Sequence, residues 1–350
     1  MLRPILISSI SFIILFTGCE ESPTEVSTTN TDYKTFGGDY DDVGSAVVQT
    51  PDGGYLVVGT RYSGDGETLS DLYVIKTHAN GETDTTKIFN DITENNEAQN
   101  LIGVESFDLI SDVKMLDNGG YVVIGSKFDV TAGNYVIWLF ELTANYTIGF
   151  SKTFTNNMDQ AATGNAFGYS VNICDDNGYI ITGKVFNTTS NTSYDIRVIK
   201  TDSNGVADSG FGDTAPKDGS ATVNIGDTAV ENDAGYYAIE TDGGDYVVVG
   251  EMRSTNGNSQ MFIAKLDNAG ILSTDFGQDY GADGTVDGYN KDIGGSLDES
   301  AKFVQETSDG GFIMVGNSFS NGSGQSDIYV VKVNSAGIKV WDKYIGSNRN

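Results

Sequence analysis

An all-β chain, a β-propeller of five four-stranded blades, is what this sequence predicts, on three observations. A strand-like pentapeptide recurs five times, at steps of 66, 58, 67 and 66 residues. Each copy is flanked by further strand-like runs joined through Asp-Gly or Asn-Gly turns. The 350 residues include 44 Gly and only 4 Pro, and few stretches carry a helical period. A repeat of that length means an array of equal structural units.

The pentapeptide is Tyr55–Gly59, Tyr121–Gly125, Tyr179–Gly183, Tyr246–Gly250 and Phe312–Gly316. An aromatic, three mostly β-branched or long apolar residues and a closing glycine read as a strand buried on both faces. An alternating run precedes each copy: Gly44–Thr50, Ile110–Met115, Tyr169–Cys174, Tyr236–Thr241 and Ala301–Thr307. The links Asp52-Gly53-Gly54, Asn118-Gly119-Gly120, Asn177-Gly178, Asp242-Gly243-Gly244 and Asp309-Gly310-Gly311 supply the positive φ of a tight hairpin. The first two strands of each repeat are therefore antiparallel neighbours.

A polar loop leads to the third strand: Asp71–Lys76, Tyr135–Leu142, Tyr194–Lys200, Met261–Leu266 and Asp327–Val333. A second short turn follows, with Asn80-Gly81, Asn204-Gly205, Ala269-Gly270 and Ala336-Gly337. A fourth strand is visible as Lys87–Phe89, Lys152–Phe154 and Lys343–Ile345. Four strands joined by hairpins and repeated in this way describe propeller blades. Lys34-Thr35-Phe36-Gly37 also resembles a fourth strand, which gives one candidate too many for closing the ring.

The expected domains are a signal segment at 1–18, a lipidated cysteine with its tether at 19–32, and the propeller at 33–350. One positive charge, Arg3, precedes the apolar run Ile5–Phe16, which is too short to span a bilayer as a helix and ends at Thr17-Gly18-Cys19. This resembles a bacterial lipoprotein signal, which implies that Cys19 is acylated and anchors the chain to a membrane. Glu20 and Glu21 are similar to the residues that route lipoproteins of the Bacteroidota to the outer face of the outer membrane. The repeats themselves, with Thr307–Gly316 and Ser326–Lys332 as the clearest copy, resemble the delta-60 type of propeller repeat in bacterial lipoproteins. That likeness implies a fold and leaves the function open.

The formal net charge of −29 sets an acidic surface against nucleic acid and anionic headgroups. Cys174, the only cysteine besides Cys19, lies in a strand-like run and reads as a core residue. Acidic groups occur at Asp39, Asp41 and Asp42, at Asp227, Glu231 and Asp233, and at Asp298 and Glu299. They match no calcium-loop spacing, so solvation accounts for them better than Ca²⁺, the one cofactor such acids could take. No cofactor is identified.

Strand order puts the first-to-second and third-to-fourth links at one end of every blade. The long connections Asn90–Leu109, Asp213–Asp233 and Gly277–Ser300 then fall at the other end, which becomes the elaborated, binding-competent face. Just after the pentapeptide glycines on that face come Arg61 and Tyr62, Lys127 and Phe128, Lys184, and Arg253. These are the candidate ligand-binding residues, for an anionic or sugar ligand at the mouth. The expected function is a membrane-anchored envelope module that binds a carbohydrate or protein partner. The alternatives are a propeller-type carbohydrate-active enzyme with facing carboxylates and a purely structural envelope protein; no catalytic residue is identified.

Overall fold

The computed structural model describes residues 34–37, 40–62, 70–89, 108–158, 163–188, 193–225, 232–253, 257–281, 283–320 and 326–346. The chain divides between Thr35 and Phe36, and the second unit carries every strand among the described residues. The fold is all-β, with no helix among the described residues. Blade 1 is β1 (Asp42–Gln49), β2 (Tyr55–Tyr62), β3 (Ser70–Thr77) and β4 (Thr83–Phe89). Blade 2 is β5 (Leu109–Met115), β6 (Tyr121–Asp129), β7 (Asn134–Leu142) and β8 (Ile148–Phe154). Blade 3 is β9 (Ala166–Ile173), β10 (Tyr179–Phe186), β11 (Tyr194–Thr201) and β12 (Ser220–Val223). Blade 4 is β13 (Ala234–Glu240), β14 (Tyr246–Arg253), β15 (Ser259–Leu266) and β16 (Tyr289–Ile293). Blade 5 is β17 (Glu299–Glu306), β18 (Phe312–Ser318), β19 (Asp327–Val333) and β20 (Lys339–Ile345).

Each blade is an antiparallel meander in chain order, which makes this a β-propeller of five four-stranded blades. The first strands of successive blades contact one another, from β1 on β5 through to β13 on β17, so they line the axis. Alternation along the second strand explains the packing. In β6, Tyr121 and Val123 face blade 1, and Val122 and Ile124 face blade 3, all nearly inaccessible to solvent. Among the described residues four apolar clusters result, one for each junction from blades 1 and 2 to blades 4 and 5. Each fully buried aliphatic side chain contributes roughly 1.5–3 kcal/mol.

Two local devices recur. The first strand of every blade carries a β-bulge opposite the pentapeptide glycine, with Ser45, Ser111, Tyr169, Tyr236 and Lys302 as the extra residues. A Cβ on Gly59, Gly125, Gly183, Gly250 or Gly316 would overlap a first-strand carbonyl oxygen, which is why the position is glycine. The second device is an ion pair between a third-strand lysine and the hairpin aspartate. Lys76 Nζ lies 2.8 Å from Asp52, Lys200 Nζ 2.6 Å from Asp176, Lys265 Nζ 2.9 Å from Asp245 and Lys332 Nζ 3.0 Å from Asp309. Hydrogen bonds from Lys76, Thr50 and Gly54 hold the Asp52 carboxyl far below the usual carboxylate range. In blade 2 the pair is exchanged for Asn118, whose Nδ2 donates to Glu141 Oε1 at 3.2 Å.

The structure corrects the sequence reading at one point and decides an open alternative at another. The fourth strands of blades 3 and 4 are β12 and β16, both inside segments expected to be long returns to the next blade. In these two blades the stretches 202–219 and 267–288 therefore lie between third and fourth strands, at the end expected to be trimmed. Phe211 and Phe276, each beside a glycine, are buried plugs in these connections: Phe211 sits edge-on to Tyr246 at 5.5 Å and Phe276 to Phe312 at 6.1 Å. The loops pack down because their aromatics find the underside of the next blade. Second, Lys34–Gly37 forms no strand, and β20 is the fourth strand of blade 5.

Candidate functional site

The second strand ends, and the third begins, at the end of each blade away from the Asp-Gly hairpins. At that end the structure spreads the four basic candidates over two faces. Arg61 and Lys127 are the seventh residues of β2 and β6, and each lies over an aromatic of its own blade: Arg61 5.8 Å from the Tyr73 ring, Lys127 5.8 Å from that of Trp138. Lys184 and Arg253 are the sixth and eighth residues of β10 and β14, so alternation turns them to the opposite face. Arg253 is exposed, and its backbone N–H donates to Asp233 Oδ1 at 3.0 Å. Tyr62 is half-buried, its N–H donating to the Asp41 carbonyl at 3.3 Å. Phe128 meets Tyr135 edge-on at 5.3 Å.

Lys184 is the candidate around which other groups gather. Its ammonium is 4.7 Å from the Tyr194 ring centroid, 5.4 Å from Phe167 and 6.0 Å from Tyr169. Tyr169 leans on Tyr236 at 5.2 Å, the Tyr236 hydroxyl donates to Glu251 Oε1 at 2.8 Å, and Lys302 lies 3.3 Å above the Tyr236 ring. Bulges place Tyr169, Tyr236 and Lys302 at one level on the axial strands of blades 3, 4 and 5. Lys184 and Glu251 directly follow the glycines opposite two of those bulges.

Burial lowers the Lys184 pKa, and the Glu251 charge works against that shift. The same two influences act on Lys302, whose side chain nevertheless keeps solvent contact at the mouth, so its shift is the more heavily screened. Burial, followed by the Glu251 charge, raises the phenols of Tyr169 and Tyr236 well above the usual tyrosine range. Both remain donors at neutral pH.

A row of half-buried rings extends the cluster toward blade 2, with Phe128, Tyr135, Phe167, Tyr194 and Phe186 at successive separations of 5.3, 5.1, 6.1 and 5.6 Å. Such rings offer apolar faces to the C–H side of a pyranose. The two ammonium groups suit a carboxylate, and Glu251 can accept from a hydroxyl. Asp195 is a second half-buried carboxylate at this end, raised in pKa by burial and accepting from Asn187 Nδ2 at 2.8 Å. Its register with Val185 puts it on the opposite sheet face from Lys184, so it does not face Glu251 as a catalytic pair.

Of the acidic groups, Asp233 accepts from the Arg253 backbone and Asp298 Oδ1 from Ser259 N at 2.8 Å. Glu299 is buried, taking Ser318 Oγ at 2.8 Å and also the Ser320 hydroxyl. Asp39, Asp227 and Glu231 lie outside the described residues, as do Cys19 and the tether. Among the described residues no three acidic, histidine or cysteine side chains are grouped to hold a metal ion. Cys174 is buried, and burial pushes its thiol up to about 12, as befits a core residue.

No protein-family model matches the sequence, nor does any curated protein. Among solved structures, an alpha-L-arabinanase of Penicillium chrysogenum complexed with arabinobiose aligns over 85% of this chain and 80% of its own, with 12% identity and a TM-score of 0.50. A protein of unknown function from Dyadobacter fermentans aligns over 84% and 79%, with 11% identity and a TM-score of 0.49. An alpha-L-arabinofuranosidase of Fusarium graminearum, in complex with an iminosugar inhibitor, aligns over 85% and 80%, with 12% identity and a TM-score of 0.48. At this identity the arabinanase likeness establishes the fold alone.

Proposed function

We propose that the protein is an envelope lipoprotein, anchored through acylated Cys19, whose propeller binds a carbohydrate at the axial mouth. The observation that carries the binding half is the cluster of Lys184, Tyr169, Tyr236, Glu251 and Lys302, which combines aromatic faces, ammonium groups and one acceptor. Two positive charges against one negative, in a chain of net charge −29, favour a sugar carrying a carboxylate over a neutral one. A binding role is preferred to hydrolysis because Glu251 and Asp195 lie on different sheet faces. The anchor half rests on the sequence of residues 1–19, and an outer-membrane address on Glu20 and Glu21.

One experiment tests both halves. Cells making the full chain, its Cys19→Ala variant or its Lys184→Met variant are fractionated, and each fraction is probed with fluorescent neutral and uronate oligosaccharides. Saturable uronate binding in the membrane fraction is expected. It should move to the soluble fraction with Cys19→Ala and weaken about tenfold or more with Lys184→Met, the loss of one charge-assisted contact. Uronate binding that Lys184→Met leaves unchanged would place the ligand elsewhere, and shortening of the probe would make the protein an enzyme.

A further inference from the structure

The four apolar clusters cover four junctions, and among the described residues no packing of comparable extent joins blade 5 to blade 1. Exposure at equivalent positions shows the consequence. The aromatic that opens the second strand is 2–4% exposed as Tyr121, Tyr179, Tyr246 and Phe312, but 39% exposed as Tyr55. On the first strand, Val113, Val171, Ala238 and Val304 are at most 1% exposed, whereas their counterpart Val47 is 59% exposed. All five side chains in each set point to the side of the preceding blade, and among the described residues only those of blade 1 have no blade packed there.

Blade 5 shows the converse on the face that would receive a following blade. Leu72, Ile137, Ile196 and Met261 near the start of the third strand are fully buried, and their counterpart Ile328 is 50% exposed. Register puts Ile345 beside Ile328 and Trp341 beside Lys332 on this face, and they are 55% and 41% exposed. The first and last blades thus present the two halves of an interface that the molecule builds four times internally. Uncovered apolar surface of this kind marks an association site.

We propose that a second copy of the chain covers these faces head to tail, with Val47 and Tyr55 of one copy packing on Ile328, Trp341 and Ile345 of another. The complementarity is that of the existing blade junctions, continued across a molecular boundary. Lys343, in register with Val330 on the same face, eases the approach of a second acidic chain. Because the two faces differ, the contact is heterologous and propagates into short chains of copies.

The test uses the full-length protein in detergent. Light scattering over a range of concentrations is expected to show mass rising above the monomer. Ile328→Asp, which places a charge in the interface, is expected to weaken association about tenfold or more. Val47→Cys and Ile328→Cys, both at exposed positions that tolerate change, are then mixed with a short bis-maleimide. A cross-linked dimer in the mixture and in neither variant alone supports the proposal. A monomer at every concentration overturns it, as does a Val47→Cys/Ile328→Cys double variant that links only within one chain, since the ring would then close on itself.

Discussion

Lys184 shows what one residue in a crowded place can do. Its ammonium lies among three rings, and burial disfavours the charge more than Glu251 restores it. The folded protein therefore releases this proton at lower pH than the unfolded chain. Between the lowered pKa and the ordinary lysine value the unfolded chain binds more protons, so the contribution of Lys184 to stability rises with pH across that window. Affinity for an anionic sugar runs the other way: present at neutral pH, it falls as pH rises through the lowered Lys184 pKa. A binding titration against pH should show this fall in the native protein and a shallower one in Lys184→Met, where Lys302 is the remaining ammonium with a lowered pKa. In the sequence, Lys184 stood out as a basic residue after a glycine. Its partners Tyr169, Tyr236 and Lys302 did not, because a bulge is needed to bring them to one level. The available signal was the small residue before each of them, Gly168, Gly235 and Ala301, matching Gly44 in the first repeat.

At the scale of the element, the hairpin and third strand form a repeated electrostatic unit. Lys76 and Lys200 have side chains only 4% and 3% exposed, each tied to an aspartate on the turn. Blade 2 replaces both partners at once, with Asn118 on the turn and Glu141 on the strand. Each exchange made singly brings mismatched groups together. Asn118→Asp sets two carboxylates side by side, whereas Glu141→Lys leaves a lysine facing an amide. The double variant restores the pairing of the other blades. In denaturant unfolding it should be more stable than the sum of the single changes predicts, with a coupling of about 0.5–3 kcal/mol. The connections 202–219 and 267–288 belong to this scale as well. Sequence reading put the later parts, 213–219 and 277–288, at the wrong end of the blade because the fourth strands β12 and β16 are only 4 and 5 residues long and come late after the third strand.

For the whole molecule, the succession of blades decides what each side chain is worth. Ile137 and Ile328 hold equivalent positions on the third strands of blades 2 and 5, yet the first is fully buried and the second half exposed. Ile137→Ala should cost about 2–5 kcal/mol. Ile328→Ala should stay within about 0.5 kcal/mol in dilute protein, as a surface change does. Comparing unfolding midpoints at matched low concentration checks the pair, and equal losses would mean that the last blade is covered even in the monomer.

The sequence alone determined the repeat, the hairpins, the order of four strands and the blade count, because these follow from short-range chemistry. Alternation fixes which residues share a face, Asp-Gly and Asn-Gly fix the turns, and a doubly apolar strand requires a neighbour on each side. Tertiary structure decided which neighbours are present. The level of the bulges, the side on which Lys184 and Arg61 emerge, the packing of Phe211 and Phe276, and the exposure of Val47 and Ile328 all depend on a blade some 60 residues away or on none. The pattern of a strand states which face needs cover, and only the assembled fold, built from contacts distant in sequence, supplies it.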